Sequence, residues 1–245
     1  MKKMKRVLLG LLIVVVISTL GFFIWASNAA QPTETALNAL STDAQVEIRQ
    51  EDGFITFAPV QAHASTGFIF YPGGRVDYRA YAPVLHQIAE RGYFVALVHA
   101  PLNLAFFDTD AADQVMGLFP EIDQWAVGGH SLGGVAAASY AEKHLDEVAG
   151  LVLWASYPAN DAMINSDIKA IVIYGTNDME GDQQIGIVKA RLPSDTQFVT
   201  IEGGNHAQFG SYGPQPGDRP ASISAEEQWN QATELTVRFL ESLNK

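Results

Sequence analysis

The sequence predicts a single α/β domain built on a mostly parallel sheet, placed behind an apolar N-terminal segment. Three observations carry this reading. Short, continuously apolar runs rich in Val, Ile and Phe recur at 67–71, 93–98, 124–127, 148–154, 168–174 and 196–201, the pattern of strands buried on both faces. Stretches of helical periodicity separate most of them, and strands alternating with helices make a parallel sheet covered on both sides. The 245 residues are enough for one substantial core, and no internal repeat divides them.

The elements follow in order. Lys2, Lys3, Lys5 and Arg6 precede an uncharged apolar run of 20 residues, 7–26. At 1.5 Å per residue a helix of that length spans the hydrocarbon core of a bilayer. The positive flank stays in the cytoplasm and directs the rest of the chain outside, with Trp25 suited to the outer interface. Residues 1–26 are therefore expected to be a transmembrane signal-anchor. The alternative is a signal peptide cleaved among the small residues 27–30 and a secreted product. Residues 27–44 are polar and small and read as a linker; residues 45–245 form the α/β domain.

That domain opens with strands at 46–49 and 54–57 around Asp52-Gly53, a hairpin-turn dipeptide. A strand at 67–71 stops at Pro72-Gly73-Gly74, a helix covers 81–91 and a strand 93–98. A helix near 111–118 and a strand at 124–127 lead into a helix from 132 to about 144. Strands at 148–154, 168–174 and 196–201 follow, and an amphipathic helix at 224–243 closes the chain.

The charge is −12, and four of the 15 basic residues lie among the first six, so the remainder is more acidic still. Such a surface repels phosphate backbones and excludes nucleic acid as the expected partner. With no cysteine there is no disulfide, thiolate metal site or Cys nucleophile. No metal or nucleotide cofactor is expected either: the histidines lack ligand spacing and the Gly-rich loops lack a P-loop lysine.

The chemistry centres on VGGHSLGG, residues 127–134. Gly129-His130-Ser131-Leu132-Gly133 is G-x-S-x-G between an apolar strand and an alanine-rich helix. Glycines two before and two after the serine let strand and helix approach at a sharp bend. A serine there needs a base, and the base an orienting carboxylate. His206, in Gly203-Gly204-Asn205-His206, follows the last strand and falls at the same carboxyl edge of the sheet. His63, His86 and His144 read as surface residues; His99 ends a strand. Asp178, after the strand ending in Tyr174-Gly175, is the expected acid, with Asp161 as the alternative and Asp182 less favoured. Oxyanion donors are expected from the Leu132 amide at the helix N-terminus and the amide of Gly74 or Arg75.

On the pieces YPGG, GHSLGG, YGTND and GGNHAQFG, the chain from about Val46 onward resembles small, lidless serine hydrolases of the α/β-hydrolase superfamily, dienelactone-hydrolase-like and esterase-like. The type dienelactone hydrolase carries Cys as nucleophile, where this chain has Ser131. The resemblance implies an eight-stranded, mostly parallel sheet with helices on both faces and a triad of Ser131, Asp178 and His206.

The short stretch from Trp154 to Lys169 leaves no room for a large lid. The apolar run 100–107, with Leu102 and Phe106, is expected in a pocket wall together with Gly73, Arg75, His130, Trp154, Tyr157 and Phe209, and the loop 210–220 at its entrance. The expected activity is hydrolysis of small-molecule carboxylic esters through an acyl-enzyme. The alternatives are an acyltransferase on the same residues and a surface binding module that has kept the fold.

Overall fold

Asp52-Gly53 makes the tightest hairpin connection a sheet allows. In the computed structural model, which describes residues 2–61, 63–178 and 181–244 (side chains of 2 and 181–184 apart), β1 (Val46–Glu51) and β2 (Phe54–Pro59) are antiparallel across this two-residue turn. Gly53 has φ 86, a conformation that favours glycine. β2 then lies antiparallel to β4 (Phe94–Val98) at one end of a sheet that is otherwise parallel.

The remaining strands are β3 (Thr66–Tyr71), β5 (Gln124–His130), β6 (Val148–Trp154), β7 (Lys169–Gly175) and β8 (Gln197–Ile201). The eight strands stand in the order β1-β2-β4-β3-β5-β6-β7-β8. Every residue of β3 and β4 is buried, as a parallel sheet covered on both faces requires.

The helices are α1 (Lys2–Ser27), α2 (Glu34–Asn38), α3 (Ala82–Glu90), α4 (Ala111–Leu118), α5 (Leu132–Lys143), α6 (Gly181–Lys189) and α7 (Ala225–Leu243). α3 and α7 cover one face of the sheet, α4, α5 and α6 the other, and each face has its own apolar core. α7 starts where Ser224 Oγ accepts a hydrogen bond from Glu227 N–H, and it carries Glu226 and Glu227 in its first turn. This is the capping chemistry that an S-x-x-E sequence supplies.

The topology places the site. The chain leaves β3 toward β4 on one side and returns over β3 to β5 on the other, so the loops after β3 and β5 diverge. A ligand crevice opens at such a switch point, outside the carboxyl ends of the strands. In register, Tyr71 pairs with Gly129, His130 with Trp154, Trp154 with Ile173 and Gly175 with Ile201. The loops beyond β3, β5, β6, β7 and β8 therefore emerge side by side.

Before the sheet, α1 is long and apolar enough to cross a membrane, and its apolar side chains from Val7 to Trp25 are exposed, while Ala26 is buried. The residues between α1 and β1 lie on the domain. Ala30 bridges to Val76, and Thr33 N–H donates to Ser211 O at 2.8 Å while its hydroxyl meets Ser211 Oγ at 2.6 Å.

Candidate active site

Ser131 occupies a bend that most residues avoid, with φ 51 and ψ −123. Five non-glycine residues among those described have positive φ: Arg75, Leu102, Asn103, Ser131 and Ala155. All five lie just beyond the carboxyl ends of β3, β4, β5 or β6, so the backbone strain is concentrated at one edge of the sheet, where strain accompanies function. The bend is held by Ser131 N–H to Trp154 O at 3.0 Å and Ser156 Oγ–H to Ser131 O at 2.6 Å. Glycine is required beside it. A Cβ on Gly129 would sit 2.6 Å from Tyr71 O, and one on Gly133 would run into the Tyr71 and Pro72 carbonyl oxygens.

The loop after β3 offers three consecutive amides. Gly73 N–H donates to Tyr81 Oη at 3.0 Å, and Arg75 N–H to Asn103 O at 2.7 Å. Gly74 N–H has no intramolecular acceptor among the described residues. Leu132 is the first residue of α5, where a helix leaves its N–H groups without intrahelical partners. Gly74 packs against it so closely that a Cβ would lie 2.8 Å from Leu132 Cδ2. Of the two donors the sequence left open, the Arg75 amide is thus engaged elsewhere.

Beyond β7 and β8, Asp178 and His206 are both buried and in contact. His206 Nδ1 lies 3.2 and 3.1 Å from the two Asp178 carboxylate oxygens. An Nδ1–H donated to a carboxylate puts the lone pair on Nε2, the tautomer that can accept a proton. Asp161 is exposed on the loop after β6, and the Asp182 side chain lies outside the described residues.

The His206 turn is fixed from three sides. Asp218 accepts from His206 N–H at 3.3 Å and Ala207 N–H at 2.8 Å. The fully buried Gln228 of α7 bonds both backbone groups of Asn205, at 3.0 and 2.8 Å. Arg219 Nη2 donates to Asp178 O at 2.7 Å, so one short segment braces acid and base together. Sequence reasoning missed Asp218, Arg219 and Gln228. A lone Asp-Arg in a Gly/Pro-rich loop was the only signal for the first two.

Several expected pocket residues lie elsewhere. Trp154 and Phe209 are fully buried and stack with centroids 5.8 Å apart, and Trp154 Nε1–H donates to Thr236 Oγ1. They pack behind His130, whose ring lies 5.6 Å from that of Phe209, rather than forming an exposed wall. His130 is also enclosed. Tyr81 receives the Gly73 N–H, so its own proton goes to His130 Nδ1 at 2.8 Å. Burial, with His206 alongside at 4.5 Å between ring centroids, holds the His130 imidazole well below the ordinary histidine pKa. Its Nε2 is buried with no hydrogen-bond partner among the described residues.

His86, expected at the surface, is buried between Asp43 and Glu90, each 3.3 Å away. Of the run 100–107, which forms two 3₁₀ turns, Leu102 is half-buried and Phe106 exposed. Tyr157 is half-buried, and Arg75 turns toward α1.

A strained serine at a strand–helix bend, glycine-rich amides beside it and a carboxylate–imidazole pair on the neighbouring strand ends make this an α/β hydrolase by architecture. The chain belongs to the alpha/beta hydrolase family, whose model matches residues 67–230. It is similar to a pimeloyl-[acyl-carrier protein] methyl ester esterase of Photorhabdus laumondii, 42% identical over 74 residues, which are 30% of this chain and 26% of that protein. In fold it is similar to a dienelactone hydrolase from Anabaena variabilis (TM-score 0.58, 16% identity, 79% of this chain and 98% of that one). It is likewise similar to the esterase domain of a Rhodothermus marinus protein (TM-score 0.62, 13% identity, 80% and 97%). The family is one of hydrolases, this chain's relatives include esterases, and no large lid stands over the sheet edge among the described residues.

Proposed function

We propose that the chain is a serine hydrolase of small carboxylic esters, held at the membrane by residues 1–26 with its catalytic domain, 45–245, outside the cytoplasm. The observation that carries this reading is the buried His206–Asp178 pair on the same sheet edge as the strained Ser131 bend. Ser131 Oγ attacks the acyl carbon as His206 Nε2 takes its proton, and Asp178 stabilises the imidazolium that forms. The amides of Leu132 and Gly74 hold the developing oxyanion, a contribution of about 3 kcal/mol for a single donor. His206 then protonates the departing alkoxide. Water, activated by the same imidazole, hydrolyses the acyl-enzyme to acid and free serine. The relative named as a methyl ester esterase supports carboxylic esters as the substrate class.

The test is fluorophosphonate labelling of the full chain in detergent, with peptide mapping and hydrolysis of 4-nitrophenyl acetate. Modification is expected at Ser131 and is lost in Ser131→Ala and His206→Ala. Turnover is expected to fall by about six orders of magnitude in either variant and by about four in Asp178→Asn. A folded wild-type protein that neither labels nor hydrolyses the ester refutes the reading. Activity retained in Asp178→Asn but lost in Asp161→Asn reassigns the acid.

A further inference from the structure

The carboxyl end of α1 is capped by the catalytic domain. Arg75 Nε donates to Trp25 O at 3.1 Å and Nη2 to Asn28 O at 2.9 Å, with the guanidinium 4.7 Å above the Trp25 ring. Asn103 Nδ2 donates to Ala26 O at 3.1 Å. These donors satisfy carbonyls that a helix end leaves unpaired and put positive charge where the helix dipole favours it. Arg75 directly follows Gly74, and Asn103 accepts the Arg75 amide, so the apolar helix joins the domain at the edge that carries Ser131.

The aromatic contacts set a depth. The Phe107 ring lies 6.1 Å from that of Phe22, which stands four residues before the end of the apolar run, about 6 Å inside it along a helix. With α1 across a bilayer, Phe107 is at the outer hydrocarbon boundary and Trp25 in the interface where aromatic rings concentrate. Phe106 and Phe107 are each 49% exposed. The exposed Asp108 and Asp110 follow them and limit how far the segment can enter. A shallow groove of about 590 Å³ beside Phe23, Ile24 and Trp25 shares Asn28 and Arg75 with a second of about 350 Å³ that reaches Gly74 and Tyr212.

We propose that the domain rests with its active-site edge against the outer face of the bilayer, Phe106 and Phe107 in lipid, and takes as substrate an amphiphilic acyl ester dissolved in the membrane. The acyl chain follows the groove from the flank of α1 to Gly74. The ester C–O bond breaks, and one water supplies hydroxyl to the acyl carbon and a proton to the alcohol. The inference rests on the serine-esterase reading and on an uncleaved α1.

The chain has no cysteine, so Phe107→Cys and Ser194→Cys each create one labelling position. Ser194 is exposed ahead of β8, at the opposite edge. In full-length protein in phosphatidylcholine vesicles, a nitrobenzoxadiazole label at 107 is expected to be quenched by doxyl-phosphatidylcholine and one at 194 is not. Absence of quenching at 107 overturns the orientation, whatever the enzymatic activity.

The substrate class is tested by the ratio of turnover on 4-nitrophenyl palmitate in the vesicles to that on 4-nitrophenyl acetate in water. A flexible Gly/Ser insert of about 20 residues after Asn28, which lets the domain lift away, is expected to lower this ratio about tenfold. An unchanged ratio overturns the lipid-phase substrate. Quenching at 107 with neither ester hydrolysed removes the esterase reading and the substrate with it, while the bilayer contact stands.

Discussion

His130 is a buried imidazole kept neutral, and this gives it a consequence for stability. Its pKa is lowered in the folded chain, first by burial and then by His206, whereas in the unfolded chain it titrates near 6.5. Below that pH the unfolded chain binds a proton that the folded one refuses. Stability is therefore complete above about pH 6.5 and declines as pH falls toward the folded pKa, by up to about 1.4 kcal/mol per pH unit. The depressed carboxylates Asp43, Asp77, Asp195 and Glu234 lose their contribution only as pH drops through the ordinary values of 3.8 for aspartate and 4.5 for glutamate and below. Urea denaturation at pH 7 and pH 5 is expected to show a smaller loss in His130→Gln than in the wild type. An equal or larger loss would exclude the burial argument. The same residue marks how legible the site was. Ser131, Asp178 and His206 each follow a strong apolar strand, and that local pattern pointed to them. The contacts of His130 with Tyr81 and His206 join positions 49 and 76 residues apart in the chain, and nothing local encodes them.

The β5–α5 bend and the helices around it contrast two kinds of glycine. Gly133 faces the backbone carbonyls of Tyr71 and Pro72, which cannot move aside without breaking β3. Gly186, within α6, meets nothing within 4 Å of an added Cβ. Gly186→Ala is therefore expected to stabilise by up to about 1 kcal/mol, raising Tm by about 2–4 °C. Gly133→Ala is expected to cost about 2 kcal/mol or more, or to prevent folding. Thermal denaturation of the two variants, with equal changes in both, would contradict the packing account. Gln228→Leu is a second case: it strands both backbone groups of Asn205 in the interior, at about 1–3 kcal/mol for each, and is expected to lower Tm well below that of the wild type. Strand positions were readable where, as in β3 and β4, every residue is buried, and helix limits where a local signal stands, Ser224 at the start of α7 and Gly92 after α3. The short turns of 101–107 and the seating of 27–44 were not, since both depend on surfaces contributed by other parts of the chain.

For the molecule as a whole, the decisive question is whether α1 stays attached. Its apolar side chains from Val7 to Trp25 are exposed, and its end is tied to Arg75 and Asn103. Retention is expected: after alkaline carbonate extraction the protein stays in the membrane pellet, and its intact mass includes residues 1–26. Release into the supernatant, with a mass that begins among residues 27–31, would instead show signal cleavage and a secreted enzyme. The strongly acidic charge of −12 means that a bilayer contact is apolar in origin, so moderate salt is not expected to detach the domain.

Local pattern along the chain is enough to specify the sheet-and-helix alternation, the apolar span and the candidate residues Ser131, Asp178 and His206 in that order, because each rests on periodicity or on a residue type next to a strand end. The folded arrangement settles which carboxylate meets His206, that the Gly74 amide and not that of Arg75 is left without an acceptor among the described residues, and that Trp154, Phe209 and His130 are buried rather than lining an open wall. It alone also brought the end of α1 to the edge that carries Ser131. Those outcomes depend on strand order and on distances between residues far apart in the chain. Neighbours along a sequence carry no record of which loops a twisted sheet will bring together.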